Sequence, residues 1–122
     1  MDAEELRNRL KQFALRVIRF VRRLPRTMDA PILGRQLLRS GTSAAANYHS
    51  ACRGRSRQEF FAKLSIADEE IDEACFWIDL ILDSHLAEPE ETTALRKEAE
   101  ELRAILAASR RTTRENMQAS QS

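Results

Sequence analysis

Hydrophobic residues recur along most of this chain at spacings of three and four, the period of an α-helix seen from one side. Leu6, Leu10, Phe13, Val17, Val21 and Leu24 form the first stripe and predict a helix over about residues 3–24. Asp2, with Glu5 three residues on, resembles a capping box that would start it. Pro25 and Pro31 interrupt the pattern, and Pro31 suits the first turn of a second helix reaching about Cys52. The apolar side of that helix is Leu33, Leu37, Ala44, Tyr48 and Ala51, with Gly41 on the same face. Beside it runs a stripe of short polar residues, Ser40, Ser43, Asn47 and Ser50. Small residues admit a close neighbour, and Asn47 is then placed to hydrogen-bond across the contact and fix register or partner.

Ser56 with Glu59 gives a second capping box, after the basic turn Arg53-Gly54-Arg55-Ser56-Arg57. The third stripe is Phe60, Leu64, Ala67, Ile71, Ala74 with Cys75, Ile78 and Leu82, in a helix expected to reach about Leu86. Ile66, Trp77, Leu80 and Ile81 lie off it and make a second apolar strip, which is either a wide core face or an oligomer contact. Pro89 opens a fourth helix carrying Leu95, Ala99, Leu102 and Leu106, with Ile105 alongside. Glu90 and Glu91 near its start and Arg110 and Arg111 near its end complement the helix dipole. From Thr112 onward the chain is polar and aperiodic. The expectation is therefore an all-α four-helix bundle over residues 1–111 and a disordered polar tail over 112–122.

Length agrees with that picture, since 122 residues make one domain. A charged fraction of 32% beside 43% hydrophobic residues fits an ordered, soluble protein rather than a disordered one. No apolar run approaches the ~18 residues of a membrane span. The acidic start, Met1-Asp2-Ala3-Glu4-Glu5, lacks the character of a secretory signal. Cys52 and Cys75 do not make a disulfide framework, so a reducing cytoplasm is the expected compartment.

Charge changes the picture more than composition does. Residues 1–57 carry 13 basic and 4 acidic side chains, whereas residues 58–109 carry 4 basic and 14 acidic ones. The overall charge of +1 hides this dipole, so it says little about what each face attracts. Arg supplies 17 of the 20 basic residues, which favours bidentate recognition of phosphate or carboxylate over mere solubility. Arg16, Arg19, Arg22, Arg23 and Arg26 fall opposite the first apolar stripe, nearly without acidic neighbours. With Arg53, Arg55 and Arg57 they are the candidate contacts to a nucleic-acid backbone. The competing use of the same arginines is to meet the acidic third helix of a neighbouring subunit.

Reaction chemistry finds little support. Di-metal bundles need Glu-x-x-His pairs, and no His follows Glu69, Glu70, Asp72 or Glu73 at that spacing. No phosphate-cradling Gly-rich loop, CxxC motif or nucleophile elbow is present. No catalytic residue, metal or cofactor is assigned, and an enzyme is not expected.

The run Ser43-Ala44-Ala45-Ala46-Asn47-Tyr48, then Ala51-Cys52-Arg53-Gly54-Arg55-Ser56, Glu59-Phe60, Lys63-Leu64, Glu69-Glu70, Asp72-Glu73 and Trp77 resembles a known family. It is that of the bacterial four-helix bundle proteins associated with intervening sequences in 23S ribosomal RNA. The similarity covers about residues 13–110. It implies a left-handed, antiparallel, up-and-down bundle assembling into a ring, typically a homopentamer, and no known reaction. A related branch is the accessory variability protein of diversity-generating retroelements, which implies nucleic acid and a reverse transcriptase as partners. Ser43, Asn47, Arg55, Ser56, Phe60, Glu70 and Glu73 carry over as fold or assembly residues, and Ile66 and Trp77 join them from the second apolar strip. Many members have Asn-x-x-Glu-Gly where this chain has Asn47-Tyr48-His49-Ser50-Ala51, so a role tied to that Glu has no counterpart. The strong positive charge expected of the retroelement branch is also missing.

Overall fold

The computed structural model describes residues 1–121, which form four helices and, among those residues, no strand. They are α1 (Ala3–Arg22), α2 (Ala30–Cys52), α3 (Arg57–Asp83) and α4 (Pro89–Gln121). Two of the four starts follow directly from local chemistry. Asp2 accepts the Glu5 backbone N–H at 2.8 Å, and Ser56 accepts that of Glu59 at 3.1 Å. Glu59 completes the second box by accepting the Arg55 backbone N–H at 2.6 Å.

Leu10, Phe13, Val17, Leu37, Leu64, Ile71, Ile78, Leu102 and Leu106 are all fully buried in one continuous core. Burying each such side chain contributes roughly 1.5–3 kcal/mol, so helix placement follows from the four stripes meeting. Each helix packs along the next in sequence, and α1 touches α4 more sparsely. The pairs Asp79–Arg96, Asp72–Arg103 and Ser65–Arg110 advance along α4 while they step back along α3.

The small face of α2 explains how closely it lies on α1. A Cβ on Gly41 would stand 3.2 Å from Val17 Cγ2, and one on Gly34 3.0 Å from Leu24 Cδ1. Ser40 is fully buried there, and its hydroxyl donates to the Gln36 carbonyl at 2.9 Å.

Four expectations need correction. Ile81 belongs to the core and is fully buried, while Leu82 is only half-buried, because the stripe of α3 rotates slowly about the helix. The α3 helix stops at Asp83 rather than Leu86, since His85 takes a left-handed φ of 58° that ends it. Residues 112–121, expected to be disordered, continue α4 as helix. The reason is an anchor: Arg57 donates to the Asn116 carbonyl at 3.2 Å and to Ser120 Oγ at 2.8 Å. Residue 122 of the expected tail lies outside the described residues. Finally, Asn47 does not bond across a helix contact. Its side-chain amide donates to the Ser43 carbonyl and hydroxyl at 2.9 and 3.0 Å, one turn back on its own helix.

Candidate nucleic-acid and assembly surfaces

The eight arginines singled out for polyanion contact do not form one face. Arg16, Arg19, Arg22 and Arg23 lie on the last turns of α1, and Arg26 just beyond them. Arg53 and Arg55 occupy the turn between α2 and α3, and Arg57 opens α3. Arg26 precedes α2 and Arg53 follows it, and a helix of 23 residues is about 35 Å long. The two groups therefore stand at opposite ends of the molecule.

They also differ in how many charges are left open. All eight are exposed. Arg23 is paired with Glu91, and Arg57 is spent on the end of α4. Arg16, Arg19, Arg22, Arg26, Arg53 and Arg55 have no ion pair among the described residues.

The acidic side of α3 is largely answered from within the chain, by arginines outside that set. Arg39 of α2 bridges Glu70 at 2.9 Å and Glu73 at 2.7 Å. Arg39 holds the Glu73 carboxyl below its ordinary value. Arg103 pairs with Asp72 and Arg96 with Asp79, each at 3.1 Å. Arg9 of α1 grips Glu98 by two nitrogens, at 2.9 and 2.6 Å, and reaches Glu101 at 2.6 Å. Bidentate geometry of this kind ties α1 to α4 where their backbones meet least.

Two open grooves share His49. One, of about 860 Å³ between α1 and α2, has acidic Asp2, Glu4 and Glu5 beside basic Arg7 and Lys11. The other, of about 580 Å³ at the α2–α3 turn, is lined by Arg53, Arg55 and Lys63, with Glu59 as its carboxylate. Arg7, Lys11, His49 and Lys63 were not singled out from sequence. The signal that could have found Lys63 is its register: on α3 it falls seven residues before Glu70, on the side facing α2.

The assembly candidates divide in two. Ser43, Asn47, Ser56, Glu70 and Glu73 are engaged in contacts inside the chain, and Phe60 packs against the core. Trp77 is half-buried against the core, with its indole N–H directed to Glu73 at 3.4 Å. Ile66 is 39% exposed, and Phe76, which sequence reasoning missed, is 56% exposed. The Phe76 and Trp77 rings meet edge-on, with centroids 5.0 Å apart. Phe76 lay hidden because its neighbours at three and four residues are mostly acidic, so no stripe passes through it. Ile66 lies ten residues before Phe76 on α3, and the ion pairs of Arg39 with Glu70 and Glu73 fall between Ile66 and the Phe76–Trp77 pair.

Among the described residues no three of His, Cys, Asp and Glu are grouped to hold a metal ion. No described helix is long and apolar enough to cross a membrane.

Residues 4–108 match the family described as 23S rRNA-intervening sequence protein. A solved structure from Bacteroides thetaiotaomicron VPI-5482, a protein of unknown function from the S23 ribosomal protein family, is similar throughout. It is 26% identical, with a TM-score of 0.83 over 91% of this chain and 99% of that one. No curated protein matches.

Proposed function

The chain belongs to the 23S rRNA-intervening sequence protein family, and from that premise we infer that it is a non-enzymatic binding scaffold for RNA or a nucleoprotein. The scaffold is an antiparallel, left-handed, up-and-down bundle that self-assembles in the cytoplasm, a homopentameric ring being the form its resemblance favours. The observation that carries the reading is the distribution of pairing. Glu70, Glu73, Asp72 and Asp79 of α3 are met by Arg39, Arg96 and Arg103, while Arg16, Arg19, Arg22, Arg26, Arg53 and Arg55 are left without ion pairs among the described residues. Unpaired exposed guanidinium groups suit the planar, anionic oxygens of a phosphate backbone. Contacts of this kind position the protein without reading base sequence.

Fluorescence anisotropy with a short labelled RNA tests it. Binding is expected at about 50 mM salt, and to weaken steeply toward about 200 mM as counterions are released. No binding at the lower salt, or binding indifferent to salt, sinks the reading.

A second reading is favoured by one specific feature, the exposed apolar side chains Ile66 and Phe76 of α3. It suits a protein contact, as in an adaptor for a reverse transcriptase or another partner whose arginines serve assembly. Such an adaptor would hold its partner in salt that abolishes any RNA binding.

A further inference from the structure

We propose that the groove at the α2–α3 turn is a phosphate-backbone site, with Arg53, Arg55 and Lys63 as its contacts and His49 as a further hydrogen-bond donor. The proposal rests on the nucleic-acid reading above and narrows it to one place on the molecule.

The outer seam between α2 and α3 has two ends with opposite electrostatics. At one end Arg39 is answered by two carboxylates, Glu70 and Glu73, and its charge is used within the chain. At the other, about two turns along α3, three cations line an open groove of about 580 Å³ with only Glu59 to oppose them. Glu59 is itself committed. It caps the turn by accepting the Arg55 N–H at 2.6 Å, and it sits in the first turn of α3, where backbone donors favour negative charge. Arg53, Arg55 and Lys63 have no ion pair among the described residues, so the groove keeps an excess of positive charge.

The backbone at the groove is tightly turned. Gly54 lines it, and a Cβ there would stand 3.1 Å from the Ala51 carbonyl and 3.2 Å from the Phe60 amide. Its N–H donates to the Ala51 carbonyl at 3.0 Å. That tight turn sets the two flanking arginines in place. Arg57, although adjacent in sequence, is excluded from the site because its guanidinium holds Asn116 and Ser120. The groove carries no Phe, Tyr or Trp side chain, and its cationic donors fit phosphodiester oxygens.

The test compares two multiple variants in anisotropy titrations against a short labelled RNA across a salt series. One is R53Q/R55Q/K63Q; the other is R16Q/R19Q/R22Q/R26Q, which leaves the Arg23–Glu91 pair intact. All are exposed side chains, and far-UV circular dichroism with thermal unfolding verifies that both variants fold. The single reversal Lys63→Glu repeats the test with least disturbance of the turn. The groove variant is expected to lose at least about tenfold in affinity, with a log–log salt slope flatter by about 2–3, since each backbone contact contributes about 0.7–0.9. A groove variant with the wild-type slope, beside an α1 variant that flattens, overturns the groove and leaves the broader reading standing. Absence of wild-type binding at low salt removes both. Displacement of the RNA by polyglutamate at equal charge concentration also overturns the proposal, because the groove would then recognise carboxylates as readily as phosphates.

Discussion

At the scale of single residues, two buried titratable groups tie the core to pH. Tyr48 is 2% exposed, and burial, aided by Cys52 beside it, pushes its phenol up to about 12 from 10.0. Cys75, also buried, is pushed up to about 11 from 9.0, chiefly by burial. Both folded values lie above the unfolded ones, so the folded state holds these protons more tightly. Their contribution is fully present below about pH 9 and is lost as pH rises through 11 and 12. Thermal unfolding followed from pH 8 to 12 should show a flat region and then a decline. Tyr48→Phe should decline less than wild type above pH 10, since it removes one of the two groups. An alkaline loss identical in wild type and Tyr48→Phe would show that Tyr48 plays no part. Single residues were also where the sequence was least readable. The motif residue Asn47 spends its amide on Ser43 of its own helix, because a side chain one turn back competes with any partner across the interface.

At the scale of elements, helix positions were legible because burial enforces a period. The stripes through Leu10, Phe13 and Val17, and through Leu95, Ala99 and Leu102, all end up in the core. Ends depending on contacts distant in sequence were not. Nothing in the polar run after Thr112 announces that Arg57, more than fifty residues earlier, will hold it. Propagating an existing helix costs far less than nucleating one, so a few anchors suffice to extend α4. They should also be its weak point. Of residues 112–121 only Thr113 and Met117 are even half-buried, so this end has little packing to lose. Amide hydrogen exchange should therefore be faster over residues 112–121 than over the buried middle of α4, and faster still in Arg57→Ala. The free energy of global unfolding in that variant should fall by no more than about 1 kcal/mol, the scale of a net hydrogen bond. Exchange in the last turns unchanged by Arg57→Ala would mean that the helix there stands without its anchor.

At the scale of the whole molecule, the charge halves seen in the sequence resolve into a different arrangement from the one they suggest. Among the described residues, the ion pairs from the basic first half to the acidic third helix come from Arg39, while Arg96 and Arg103 of α4 take up Asp79 and Asp72. The arginines at the two ends of the bundle take no part in these pairs. Besides Asp68, Glu69 and Asp83, which have no ion pair among the described residues, α3 exposes apolar side chains: Ile66 at 39% and Phe76 at 56%, the latter beside the half-buried Trp77. Large apolar side chains exposed on an outer helix face mark a candidate protein contact. If copies of the chain assemble through this side of α3, charge placed there should oppose it. Size exclusion with light scattering should then find the wild type as an oligomer and Phe76→Glu shifted toward monomer, with Ile66→Glu acting in the same direction. Because both side chains are exposed in the single chain, neither change should alter its helical content. A wild type that is monomeric at micromolar concentration ends the assembly reading. An oligomer untouched by Phe76→Glu moves the interface elsewhere, and the open arginines of α1 become the next surface to neutralise.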